Sequence, residues 1–158
     1  MKKPIILAVI LLLLDQITKF AADKLISYGG SVSVIPFFNF FNITNVRNTG
    51  AAFSTFQGQN LILSAVIFLF LAVVSAWLVK NKDKLSVLQK YAFCLIISGG
   101  IGNLIDRILR GAVVDFLDFG INSLRWPSFN VADSSVCVAA ALIVIDVFIL
   151  PALKKQKA

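Results

Sequence analysis

The stretch Gly111 to Ser135, GAVVDFLDFGINSLRWPSFNVADSS, sets Asp115, Asp118 and Asp133 among Val, Phe and Trp. It runs directly into an apolar segment, Val131 to Leu150, long enough to cross a bilayer. Carboxylates beside lipid are expensive, so each needs a partner or a task. If Asn130 caps the helix that starts there, Asp133 is its third residue. At that position unpaired backbone N–H groups and the helix dipole favour a carboxylate and depress its pKa. Asp115 lies in Val113-Val114-Asp115-Phe116-Leu117, an apolar setting that raises pKa. Two carboxylates pushed apart in this way and brought together share one proton. One can then act as base on water while the other acts as acid on a peptide carbonyl.

Outward from that stretch, the whole chain reads as membrane protein. Of its 158 residues 58% are hydrophobic, and mean hydropathy is +0.87, which excludes an ordinary soluble domain. Four apolar spans are expected, over residues 4–22, 61–79, 91–109 and 131–150, in a single membrane domain covering 1–158. Net charge is +7, but the lysines cluster between spans: Lys2 and Lys3; Lys80, Lys82, Lys84 and Lys90; Lys154, Lys155 and Lys157. That is a positive-inside signature rather than a nucleic-acid surface. It puts both termini on the cytoplasmic side and the segments Ser27–Asn60 and Arg110–Asn130 outside. The start imitates a secretory leader, yet Asp15 and Lys19 interrupt the cleavage region, so a retained first helix is expected. Asp15 and Lys19, four apart, share one helix face and can pair, either as an ion pair between helices or as a polar floor beneath a site.

In the outer segment, Ser31 to Ile35 alternates as a strand does, and Phe38 to Val46 is aromatic and β-branched, so a small twisted sheet is expected there. Phe37, Phe38, Phe40 and Phe41 suit either its apolar face or a membrane interface. Asn42-Ile43-Thr44 matches a glycosylation sequon, a weak signal by itself. The third span is apolar only to Ile105, about 22 Å of helix against a core of about 30 Å, so Asn103, Asp106 and Arg107 are drawn below the outer surface. Ser98-Gly99-Gly100-Ile101-Gly102 is a small-residue face suited to helix packing, with a substrate channel as the alternative. Asp146, near the inner end of span four, is explained by snorkelling or a pair with Lys154. Cys94 and Cys137 read as buried free thiols.

The chain has no His, which removes Ser-His and Cys-His hydrolases and His-ligated zinc peptidases. A Ser-Lys dyad would need Lys19 uncharged beside Asp15. Paired Asp chemistry remains. Asp133 as a plain capping-box residue and Asp115 as a partner of Arg107 or Arg110 are the structural alternatives. Asp118, three residues from Asp115 in an extended segment, faces the other way. Trp126, near Phe129, either shelters the site or anchors the interface.

Five blocks in order resemble the bacterial lipoprotein signal peptidases (signal peptidase II): Asp15 to Lys19; Arg47 to Phe53; Gly99 to Arg107; Gly111 to Phe116; and Phe129 to Ser134. The resemblance covers nearly the whole chain. It implies a multi-pass aspartic endopeptidase of the bacterial cytoplasmic (inner) membrane, α-helical, with four transmembrane helices and a small β-sheet cradle on the outer face. Asp115 and Asp133 correspond to the catalytic pair. Asn48, Gly99, Asn103, Arg107, Asn130 and Ala132 match positions that line or support the pocket, and Asp15 and Lys19 match the polar pair of the first helix. It further implies a diacylglyceryl-prolipoprotein substrate, cut on the N-terminal side of the lipidated cysteine, and inhibition by globomycin-type cyclic peptides. No cofactor or metal is called for, since two carboxylates supply acid and base; no nucleic-acid partner is expected, membrane lipid is, and a monomer is expected. The competing classes are a small ion-coupled carrier, whose key charge belongs near the midplane, and a non-catalytic assembly factor that docks through the outer sheet.

Overall fold

The computed structural model describes residues 1–50 and 58–155, with the side chains of Lys154 and Lys155 left aside. Ala51, Ala52 and Phe53 of the second motif block, Lys157, and the suggested Asp146–Lys154 pair therefore lie outside the described residues. Among the described residues four helices are long and apolar enough to cross a membrane: α1 (Lys2–Leu25), α2 (Asn60–Asn81), α3 (Val87–Arg110) and α4 (Val131–Val144). The last continues through a π turn, Ile145–Ile149, into α5 (Leu150–Lys155), so its span reaches Leu153.

Helix α3 is the hub. Over an apolar 18-residue stretch of each helix, 44% of residues are buried in α3, against 17%, 11% and 6% in the other three, whose side chains mostly face outward as lipid-facing residues do. Its glycines make this close packing feasible, each toward a different neighbour. A Cβ at Gly99 would strike the Ala132 carbonyl of α4, one at Gly100 would meet Leu71 of α2 at 2.6 Å, and one at Gly102 would meet Asp15 of α1 at 2.6 Å. The packing reading of Ser98–Gly102 is therefore met, since small residues let backbones approach where hydrophobic drive is absent, while Gly99 and Gly100 also line a cavity, so the channel alternative stands beside it. Helix α3 opens on a reciprocal capping box, Ser86 with Gln89, and ends at Gly111 in the left-handed region (φ 74°), which glycine adopts without strain.

Ser86 and Gln89 also settle Asp146. Its two oxygens accept from Ser86 Oγ and Gln89 Nε2, each at 2.8 Å, so the carboxylate crosses from the π turn of α4 to the N-terminus of α3. A carboxylate at a helix N-terminus is favoured twice, by the dipole and by the donors. Asp146→Ala should therefore lower resistance to unfolding in a denaturing-detergent titration by about 2 kcal/mol. An unchanged midpoint would show that this link carries no stability.

At the opposite end of the bundle lies a four-stranded antiparallel sheet in the order β1 (Ser31–Ile35), β2 (Phe41–Asn48), β3 (Val113–Ile121), β4 (Leu124–Arg125). Strands β2 and β3 come from the two separate outer segments, and their pairing sets Val46 opposite Asp115 and Asn48 opposite Val113. A register shift between Ile43 and Val46 re-aims the end of β2. Where a strand was expected from Phe38, Phe37–Asn39 is instead a 3-10 turn, with Phe38 and Asn39 at φ 53° and 52°. Pro36 cannot donate to a ladder, and its carbonyl instead closes the turn by accepting from Asn39 N at 2.8 Å. Phe37, Phe38 and Phe40 are exposed, whereas Phe41 stacks on Phe119 with centroids 4.4 Å apart. Asn42 is buried and donates to Asp118, so the sequon is closed to modification in the folded chain. Both cysteines are free; Cys94 is buried, but Cys137 is exposed, contrary to the expectation of two buried thiols.

Candidate active site

Three local rules converge on one place. The chain leaves β4, and Phe129 bridges Leu117 by two backbone hydrogen bonds, Leu117 N to Phe129 O at 2.8 Å and Phe129 N to Leu117 O at 3.1 Å. That bridge fixes the start of α4 beside β3. Asn130 then caps α4: its Oδ1 accepts from Asp133 N (2.9 Å), and its own backbone N–H donates to Asp133 Oδ2 (3.2 Å). The amide nitrogen of the same Asn130 donates to Asp115 Oδ1 at 2.8 Å. One fully buried asparagine thus holds both carboxylates. The capping-box role of Asp133 is real, and it does not exclude the other role.

Each carboxylate has a further donor. Asn48, the diagonal neighbour of Asp115 across the β2–β3 ladder, gives Nδ2 to Asp115 Oδ2 at 3.1 Å. Asn103 gives Nδ2 to Asp133 Oδ1 at 2.8 Å. Asp115, 3% exposed, forms none of the ion pairs among the described residues, so neither Arg107 nor Arg110 is its partner. Burial first, and then the neighbouring Asp133, push its pKa up to about 7, against the opposing pull of the Asn48 and Asn130 amides and the Lys19 charge. Asp118 stands apart, paired with Arg125 at 2.7 Å.

Beneath this pair lies an ionic knot. Lys19 is fully buried and its Nζ touches Asp15 Oδ2 (2.8 Å), Asp106 Oδ2 (3.1 Å) and Asn103 Oδ1 (2.9 Å). Asp106 also pairs with Arg110, so two acids meet two bases and the knot is neutral. Both readings of the Asp15–Lys19 pair are met, since it joins α1 to α3 and also forms a floor. Asp15 Oδ1 accepts from Ala132 N at 2.8 Å, satisfying one of the orphan donors at the start of α4 from another helix. Asp106 Oδ2 accepts from Val114 N at 3.1 Å, next to Asp115. The i,i+4 spacing of Asp106 to Arg110 is visible in the sequence, but its contact with Lys19 is not. The Arg47–Asp23 pair, which ties β2 to α1, was missed altogether.

A cavity of about 960 Å³ opens over the two aspartates. Asn48, Gly99, Asn103 and Arg107 line it with Asp115 and Asp133, while Asn130 and Ala132 are buried behind the wall (0% and 2% exposed) and act as supports. Arg107 Nη2 donates to Gly50 O at 2.8 Å and its Nη1 to Asn103 O at 3.3 Å. Tyr28, Arg47 and Trp126 also line the cavity, and Ile67, Phe70, Ile96 and Val136 make part of its wall apolar. Trp126 is exposed at the rim, which fits both of its suggested roles.

Comparison with known proteins gives one result throughout. The family model described as signal peptidase (SPase) II matches residues 7–149. The lipoprotein signal peptidase of Paraburkholderia phymatum is 44% identical over 142 residues, 88% of this chain and 83% of its own. That of Syntrophus aciditrophicus is 37% identical over 99% of this chain and 98% of its own. A bacterial membrane enzyme solved by the in meso method at 2.3 Å resolution superposes with a TM-score of 0.83 at 34% identity, covering 100% of this chain and 91% of that one.

Proposed function

This chain belongs to the signal peptidase II family, and on that premise we propose that Asp115 and Asp133 are the catalytic pair of a membrane aspartic peptidase. The enzyme is a bacterial membrane hydrolase that removes signal peptides from prolipoproteins. One observation carries the assignment of the pair: Asn130 hydrogen-bonds both carboxylates at the floor of the large cavity.

The pair titrates together, with one proton between the two groups. We place it on Asp115, whose pKa burial and the neighbouring Asp133 lift to about 7, and leave Asp133 as the carboxylate, accepting from Asn103 and from the backbone N–H of Asn130. Asp133 takes a proton from water as the oxygen attacks the scissile carbonyl, and Asp115 gives its proton to the carbonyl oxygen. Collapse of the diol breaks the C–N bond, with the proton on Asp133 passing to the leaving amine and the diol proton returning to Asp115. Water is consumed, and both groups end as they began.

The cavity's two characters support a diacylglyceryl-modified cysteine as the scissile position, with the peptide against Asn48 and Asp115 and the acyl chains along Ile67, Phe70 and Val136. Cyclic peptides of the globomycin type would block the same space. The lysine clusters support cytoplasmic termini and an outward-facing site. Residues 1–158 act as one domain and as a monomer, since the four long helices and both outer segments of a single chain furnish every group named.

Cleavage of a diacylglyceryl-prolipoprotein in detergent should fall as pH rises through about 7, where Asp115 loses its proton. A rate still climbing from pH 6 to pH 9 would remove Asp115 as the acid. The same shift acts on stability with a definite sign. A carboxyl whose folded pKa stands above its ordinary 3.8 takes up a proton on folding, so the wild type loses stability as pH rises from about 4 to about 7. Asp115→Asn removes that loss, so relative to wild type it should gain stability across this window.

A further inference from the structure

A second cavity lies on the other side of α3, away from the aspartates. Helices α1 and α2 both lean on α3 and scarcely meet each other, leaving a groove of about 420 Å³ between them. Its walls are carbon: Ile5, Val9 and Leu12 on one side, Leu78 on the other, and Ile97 and Ile101 at the floor. Ser98 also lines the floor, but its hydroxyl donates to the Ala8 carbonyl at 2.7 Å and offers nothing to a ligand. At one end the groove stops at Met1 and Lys82.

From these features we infer that the groove seats one acyl chain of an anionic phospholipid, whose phosphate meets Lys82. The dimensions select the occupant. From Met1 to Leu12 the groove runs about 16 Å along α1, so its volume gives a channel roughly 6 Å wide, half the 10–12 Å that a packed helix needs. It therefore seats a single hydrocarbon chain and is too narrow to bury a helix from a second copy or from a signal peptide. Its length is about half the 30 Å hydrocarbon core, the depth of one leaflet. Charge selects the headgroup: the open end carries Lys82, flanked in sequence by Lys80 and Lys84 and faced by Met1 with Lys2 and Lys3, against the one acid Asp83. Bound there, the lipid fills the gap between two helices that otherwise share only α3.

The leaflet assignment rests on the proposed orientation, with the lysines inside; the groove and its occupant do not. The test is native mass spectrometry of the full chain released from detergent containing equal dioleoyl-phosphatidylglycerol and dioleoyl-phosphatidylcholine. Wild type should retain one phosphatidylglycerol about fivefold over phosphatidylcholine, the worth of one lysine near an anionic surface. Ser75→Phe, which fills the groove, should lose the retained lipid and keep cleavage activity. Lys82→Gln, at an exposed site outside the packing, should hold both lipids equally. Equal retention of the two lipids by wild type, or undiminished phosphatidylglycerol in Ser75→Phe, overturns the inference; should Ser75→Phe fail to fold, an undiminished preference in Lys82→Gln does so. Labelling of a Lys82→Cys variant by an impermeant maleimide from outside, beyond that of the native Cys94 and Cys137, would overturn the orientation and move the lipid to the outer leaflet, leaving the seat itself in place.

Discussion

Asp115→Asn and Asp133→Asn should each lower cleavage of a diacylglyceryl-prolipoprotein by about 10³-fold or more, with the protein still folded. Each change removes a proton acceptor or donor from the reacting atoms, and positioned acid–base groups are worth about 10² to 10⁴ each. The asparagines keep nearly the same shape, so the partners Asn48, Asn103 and Asn130 stay in place. Asp118→Asn is the matched control, because that carboxylate is spent on Arg125 and Asn42. It should keep most of its activity and lose a little stability. The assay is single-turnover cleavage, read beside a thermal melt. Wild-type rates in either of the first two variants would take that residue out of the pair. The two losses should not multiply in the double variant, since one proton is shared between both groups.

The second large effect is expected at Lys19, which does not itself line the cavity. Lys19→Met should cost about 3–5 kcal/mol of stability, because it leaves Asp15 and Asp106 buried with less countercharge. Adding Asp15→Asn should recover part of that loss, and its failure to do so would argue against a charge effect. Catalysis should suffer separately. Lys19 Nζ holds Asn103 Oδ1, and that contact turns the Asn103 amide so that its nitrogen faces Asp133. Assayed where the variant is still folded, kcat should fall while KM changes little. A fall in kcat no larger than the fall in folded fraction would mean that Lys19 acts only on stability.

The residues that carry this chemistry were legible unevenly. The four apolar spans, the lysine asymmetry and the alternation of Ser31 to Ile35 follow from transfer energy and side-chain period, which act on neighbours in sequence. The capping relation of Asn130 to Asp133 is local in the same way, and so was visible. The motif blocks named the remaining site residues only through resemblance. What no local rule supplies is which separated groups meet. The turn at Phe37–Asn39 overrode a stretch with strong strand preference, because Pro36 and two left-handed residues decided the backbone there.

By itself the sequence determined that this is a four-span membrane protein whose acids must have partners, since lipid penalises every unpaired charge whatever the fold. Only the tertiary structure decided how those acids are shared out. It paired Asp106 with Lys19 and Arg110, gave Asp146 to Ser86 and Gln89, spent Asp118 on Arg125, and left Asp115 and Asp133 bridged by one asparagine. The reason is geometric. Partners as far apart along the chain as Lys19 and Asp106 are brought together by the glycine face of α3 and the β2–β3 ladder. The energy that selects those pairings belongs to the packed whole and to no single segment.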